Sequence, residues 1–189
     1  MIFSETLKSV KTYSTFSKIF SSSIFAVVSF SLLTAVAAQI AIPFKPVPFT
    51  LQTMIVLLAG AFLGSKKGLY SQLTYLAMGV MGLPVFAQTP DAAIGLARLI
   101  GPTGGYLLAF PLAAFFTGYL VERSKNYTSV VASMFLGEIL IITFGVLHLN
   151  LLYIHDLKTS VQGGAAIFSV WMVIKVFIAA AIFKGISKK

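Results

Sequence analysis

The chain has 189 residues, 58% hydrophobic and only 10% charged, with a mean hydropathy of +0.94. An ordinary soluble domain carries about 25% charge, and a soluble monomer has no way to bury this much apolar surface. The 14 Lys and Arg against 5 Asp and Glu give a net charge of +9, but the cations stand singly or in pairs between apolar runs rather than in a stripe, which excludes a nucleic-acid surface. At about 20 apolar residues per span, the length admits one integral membrane domain over 1–189 and no separate globular domain. With no Cys, there is no disulfide, thiolate metal site or cysteine nucleophile.

The expected fold class is all-α. Residues 1–20, rich in Ser and Thr and carrying Lys8, Lys11 and Lys18, read as a cytoplasmic N-terminal segment ahead of a first span at about 22–42. The run Ile24 to Leu33 also has the length of a signal-peptide core, with Ala35-Val36-Ala37 in cleavage form. The apolar run continues to full span length, however, and everything downstream is equally membrane-like. Pro43, Pro46 and Pro48 lack an N–H and fix φ, so this stretch is a loop. Further spans are expected at about 51–63, 69–82, 104–121, 129–152 and 164–184. The second is short for a bilayer, so it is tilted, interrupted or shielded by protein. Between the third and fourth, Pro84, Pro90, Asp91, Arg98 and Pro102 mark 83–103 as a long structured loop.

The charges test this division independently. Six spans with both termini inside put ten cations on the cytoplasmic side: Lys8, Lys11, Lys18, Lys66, Lys67, Arg123, Lys125, Lys184, Lys188 and Lys189. Lys45, Arg98 and Lys158 fall opposite, and Lys175 alone lies within a span. That asymmetry is the positive-inside bias, so topology accounts for the net charge.

Function must then rest on the polar exceptions. A lysine in mid-span costs roughly 2.5 to 3.5 kcal/mol on insertion scales and normally faces a bundle interior or polar cavity. Lys175 therefore reads as an anion-facing residue, with snorkelling of its long stem as the alternative. Glu138, the one acid within a span, is left between pairing with a cation, staying neutral, and lying near the cytoplasmic side. His148 and His155 do not form a metal-ligand pattern. No G-x-S-x-G or buried aspartate pair supports an enzyme, and Gly60-Ala61-Phe62-Leu63-Gly64-Ser65-Lys66 has the wrong order for a P-loop. No cofactor or metal is implied. Ala37 and Ala41 form a small-x-x-x-small spacing suited to close helix approach. Gly101-Pro102-Thr103-Gly104-Gly105-Tyr106 reads as a fixed backbone turn entering a helix.

Four ordered motifs, Ala37-Ala38-Gln39-Ile40, Pro43 with Pro46-Val47-Pro48-Phe49-Thr50-Leu51-Gln52, Gly79-Val80-Met81-Gly82-Leu83-Pro84-Val85-Phe86-Ala87, and Gly101 to Tyr106, resemble those of the BioY family. These are substrate-binding (S) subunits of energy-coupling factor (ECF) biotin transporters. The resemblance covers about 34–121 and continues more weakly at Gly145-Val146-Leu147 and around Lys175. It implies an ECF S-component fold of six transmembrane helices, N-in and C-in, in the cell membrane, that captures biotin from outside and passes it inward. The implied partners are biotin, the lipid bilayer, a transmembrane coupling subunit and two cytoplasmic ATPase subunits, although some members occur without evident partner subunits. The family's first-helix A-x-x-x-A surface, matched by Ala37 and Ala41, contacts the coupling subunit.

The resemblance also implies a last-helix G-D-x-x-K motif, whose Lys meets the biotin carboxylate and whose Asp accepts from the ureido N–H groups. Lys175 matches the Lys, whereas Trp171 and Met172 stand at the Gly and Asp positions. Gln88 is the expected substitute acceptor, because an amide both donates and accepts. Arg98 is expected to hold or screen the carboxylate, and Tyr106, Phe86 and Trp171 to wall the rings. The Met172 departure leaves a second reading, the same architecture carrying a different small carboxylate or vitamin.

Overall fold

The structure is a computed structural model describing residues 23–88, 93–165 and 169–187. The N-terminal segment with Lys8, Lys11 and Lys18, the loop residues Pro90 and Asp91, the stretch 166–168, and Lys188 and Lys189 lie outside the described residues. The chain runs through α1 (Ser23–Gln39), β1 (Ala41–Ile42), β2 (Phe49–Thr50), α2 (Gln52–Leu63), α3 (Ser65–Val80), α4 (Leu96–Ile100), α5 (Gly104–Arg123), α6 (Tyr127–Leu149), α7 (Leu157–Gly164) and α8 (Ser169–Ser187). A π-helical turn, Asn150–Ile154, prolongs α6. Asp156 then starts α7 by accepting a hydrogen bond from the Thr159 N–H.

α5, the continuous helix Tyr127–Ile154 and Val170–Ser187 of α8 are long and apolar enough to cross a membrane, while α1 and α2 are apolar but shorter. Small residues face inward and large apolar ones outward. On α5, Ala109, Ala113, Ala114 and Gly118 are buried, whereas Leu108, Leu112 and Phe116 are exposed. On α8, Ala179 and Ala180 are buried and Phe177 and Ile178 exposed. This is how helices pack where lipid solvates the outside, since close backbone approach supplies the association that a hydrophobic effect cannot.

α5 is the central post, packed by α2, α3 and α6. Its second half joins α2, α6 and α8 in one apolar cluster around Leu57, Val121, Met134, Val176 and Phe183. Its first half joins α3, the end of α6 and the β2 strand in a second, around Phe49, Tyr75, Phe86, Tyr106, Phe110 and Leu149. The close crossing of α2 and α5 needs glycine at both Gly60 and Gly118. A Cβ on Gly118 would lie 2.8 Å from the Gly60 carbonyl oxygen.

Several boundaries differ from the expected ones for identifiable reasons. α3 starts at Ser65, so Lys66 and Lys67 are helical and the break after α2 is Gly64 alone, at φ 80°. The Glu122 carboxylate accepts from the Ser65 N–H at 2.8 Å and so satisfies one donor of the new helix start. The prolines at 43, 46 and 48 occupy the loop and edge of a small hairpin, in which Ala41 lies opposite Thr50 and Ile42 opposite Phe49. That hairpin corrects the small-residue stripe. α1 ends at Gln39, whose amide donates toward the Pro84 and Phe86 carbonyls, and Ala41 belongs to β1, so Ala37 and Ala41 share no helix face. Ala37 is also only 6% exposed, packed within its own subunit.

Candidate functional site

A cavity of about 610 Å³, counting its open mouth, lies where α5 begins. The hairpin supplies Val47, Pro48, Phe49 and Thr50, α2 supplies Gln52 and Thr53, and α6 and α8 contribute Glu138 and Lys175. Arg98, Thr103, Tyr106, Leu107 and Phe110 complete most of the wall. It is a mainly apolar space with a few convergent polar groups, as small-molecule sites are.

Lys175 does not snorkel: it is 5% exposed. Its Nζ donates to Thr53 Oγ1 at 2.5 Å and to Glu138 Oε1 at 3.2 Å, and it lies 5.1 Å from the centre of the Phe49 ring. Thr53 in turn donates to the same Glu138 oxygen at 2.9 Å. Lysine, threonine and glutamate thus close a triangle between α2, α6 and α8. Pairing of this kind offsets much of the cost of burying the cation.

Arg98, 6% exposed, sits on the short helix α4 and donates from Nη2 to the Ala87 carbonyl at 2.8 Å. Burial pushes its pKa below the ordinary value, with Tyr75 pulling the other way. A guanidinium stays protonated regardless, so Arg98 is a buried cation at the cavity wall. Behind it, Thr50 donates to Gln52 at 2.9 Å, Gln52 to the Tyr75 hydroxyl at 2.5 Å, and Tyr75 to the Val85 carbonyl at 3.2 Å. This relay ties the hairpin, α2, α3 and the segment carrying Ala87 into one frame. Tyr106 lines the cavity with its hydroxyl donating to the Gly164 carbonyl at 2.8 Å. Its ring occupies the space that a side chain at Gly145 would need.

The structure therefore brings Lys175, Arg98 and Tyr106 to one cavity and leaves the other expected residues outside its lining. Gln88 is exposed and lines a neighbouring cavity with Phe86 and Ile94. Phe86 packs edge-on against Tyr75, with ring centres 5.5 Å apart, bracing the wall from behind. Trp171 is 47% exposed, does not line the cavity, and packs against Phe49, with 5.3 Å between ring centres. Gln52 and Thr103 fall within the motifs quoted above but, like Thr53, are not singled out as site residues by the sequence, because a neutral polar side chain carries no charge signal. Glu138 had such a signal, as an acid within an apolar run.

Among the described residues, four buried side-chain polar atoms lack a partner: Arg98 Nε, Thr103 Oγ1, Thr117 Oγ1 and Glu138 Oε2. Arg98, Thr103 and Glu138 all line this cavity. Leaving such an atom unpaired costs about 1 to 3 kcal/mol, and native interiors rarely tolerate it. One cavity wall thus carries three buried polar atoms without partners. No group of His, Cys, Asp and Glu suited to a metal ion occurs among the described residues.

The Biotin transporter BioY of Thermotoga maritima is 41% identical over 84% of this chain and 92% of its own length. The Probable biotin transporter BioY of Pyrococcus horikoshii is 45% identical over 54% of this chain and 61% of its own length. The crystal structure of the S-component for biotin from an ECF-type ABC transporter matches with a TM-score of 0.79 at 27% identity, covering 88% of this chain and 91% of that one. The BioY family pattern matches residues 8–189, so by sequence over nearly its whole length and by architecture alike the chain belongs to the BioY family, a family of membrane transporters rather than enzymes.

Proposed function

We propose that this chain is the biotin-binding S subunit of an ECF transporter, taking up biotin from outside the cell. The observation that carries the reading is the cavity whose unpaired buried atoms include a cationic donor, a hydroxyl and a carboxylate oxygen. Biotin combines a carboxylate, an apolar thioether ring and a ureido group with two N–H donors, and this set answers to those atoms.

The carboxylate goes to Arg98 and Thr103, and Tyr106 and Phe110 wall the chain and ring. Depth along α6 supports this orientation. His148 approaches the Gly101 carbonyl at 3.1 Å, which places the Arg98 segment level with the end of α6. Glu138 lies ten residues earlier on the same helix, about 15 Å deeper at 1.5 Å per residue. An elongated ligand with an anion at one end and donors at the other fits that separation. Lys175, hydrogen-bonded to Thr53, serves as the counter-ion of Glu138, and Phe86, Gln88 and Trp171 act from outside the cavity wall.

In this reading the chain is a single multi-pass domain of the plasma membrane, with six spans and both termini in the cytoplasm, as the charge asymmetry supports. An ECF transmembrane coupling subunit and two cytoplasmic ATPase subunits supply the energy. This agrees with the ECF-type origin of the similar crystal structure and with a sequence carrying no P-loop.

The test is equilibrium binding of labelled biotin to the purified, detergent-solubilised chain, with biotin and biotinamide as competitors. Saturable binding, weakened when the carboxylate is replaced by an amide, is expected. Monodisperse protein that binds no biotin would overturn the reading and send the search to other small carboxylates.

A further inference from the structure

We infer that Glu138 is the acceptor that recognises the ligand's ring N–H donors, and that Lys175 acts on the ligand only by positioning it. The inference rests on the biotin reading above and specifies how that site selects its substrate. Glu138 is 2% exposed. Both of its donors, the Thr53 hydroxyl and the Lys175 ammonium, converge on Oε1. Oε2 is buried, has no partner, and belongs to a residue of the cavity wall. An oxygen in that state, on a residue that lines the cavity together with Ile141, Ile142 and Phe110, leaves a hydrogen-bond site open to a donor arriving with the ligand. Biotin with its carboxylate ionised has just two donors, the ureido N–H groups.

The alternative acceptors fall away on position. Gln88 lines a different cavity, and Met172 offers no oxygen. Lys175 already gives hydrogen bonds to Thr53 and Glu138 and faces the Phe49 ring, so its work is to fix Oε1 and thereby hold the carboxylate in one orientation. Specificity follows from the same geometry. A ring that presents a methylated nitrogen or an ether oxygen to Oε2 brings no donor and is rejected, because the buried oxygen then remains unpaired.

Glu138→Gln makes a sharp test, because Lys175 and Thr53 dictate the orientation of the new amide. They require its carbonyl oxygen at the Oε1 position, so its NH2 replaces Oε2 and meets the ureido N–H donor to donor. Affinities of wild type and variant are measured for biotin, for ureido N-methylbiotins and for desthiobiotin, which keeps both the carboxylate and the ureido group. In the wild type, the methylated ligand that blocks the contacting nitrogen should bind about tenfold or more weakly than biotin. In Glu138→Gln, biotin should lose about tenfold or more and that discrimination should collapse. The biotin to desthiobiotin ratio should be the same in both proteins, a readout that a merely structural role would not preserve alongside the lost methyl selectivity.

If Glu138→Gln is not monodisperse, Glu138→Asp keeps the charge and withdraws the oxygen by one methylene, and weaker biotin binding by folded protein is expected there too. Biotin affinity within about twofold of wild type with methyl discrimination intact, in whichever variant folds, overturns the inference while leaving biotin transport standing. Failure of the wild type to bind biotin overturns the transport reading and this inference together.

Discussion

Lys175, Glu138 and Thr53 make a buried unit in which each member depends on the other two. Removing one charge strands the other, which typically costs about 3 to 5 kcal/mol, whereas removing both often costs far less. Lys175→Met alone should therefore lower the detergent melting temperature sharply, and Lys175→Met with Glu138→Leu should recover most of the loss. Equal melting temperatures for the single and double variants would mean that the pair is not coupled. Arg98 answers a different question, because its Nε is buried without a hydrogen-bond partner and is proposed to meet the ligand's carboxylate. Arg98→Gln should weaken biotin by about tenfold or more and biotinamide much less, read by competition binding, since a charge-assisted bond is lost only with the acid. A matching loss for both ligands would place the carboxylate elsewhere.

Helix contacts in this bundle are set by what is missing from the side chains. At the α2 and α5 crossing, a Cβ on Gly118 would meet the backbone of Ser65, Gly64 and Gly60, and backbone cannot rotate away as a side chain can. Gly118→Leu should destabilise by about 3 kcal/mol or more, as severe overpacking does. Leu112→Ala, on the outward face of the same helix, should change stability by about 1 kcal/mol or less. Thermal unfolding of the two variants side by side checks the contrast, and similar losses would refute the inside-out packing. The α1 end follows the same logic. Because Ala37 is packed within the subunit, Ala37→Trp should destabilise the isolated chain rather than selectively block assembly. Normal stability of that variant would mean that Ala37 faces outward.

Taken whole, the molecule turns many large apolar side chains outward and gathers its buried charges, Arg98, Glu138 and Lys175, at a space closed by the hairpin, α2, α5, α6 and α8. A ligand that is polar at both ends thus meets its partners away from lipid, where a hydrogen bond loses less to competition with water. The proposed topology has a direct check, since the chain lacks cysteine. Single cysteines at Lys125 and at Lys158 should react with an impermeant maleimide from opposite sides of intact cells, Lys158→Cys from outside and Lys125→Cys only after permeabilisation. Labelling of both from one side would rule out the six-span arrangement.

The sequence by itself determined the class of the molecule, the helical apolar runs, the loop around Pro43 to Pro48, and Lys175 as a charge that must be shielded from lipid, because hydrophobicity and the cost of a charge in hydrocarbon are local properties. It marked Tyr106 through the Gly101 to Tyr106 motif and Arg98 as a cation in the long loop. Only the tertiary structure decided that α1 stops at Gln39 and sends Ala41 into a strand, that Gln88 and Trp171 lie outside the cavity lining, and that Glu138 meets Lys175. Those facts depend on contacts between residues as far apart in the chain as Thr53 and Lys175. No periodicity or spacing encodes such a contact, because it exists only once the helices are packed.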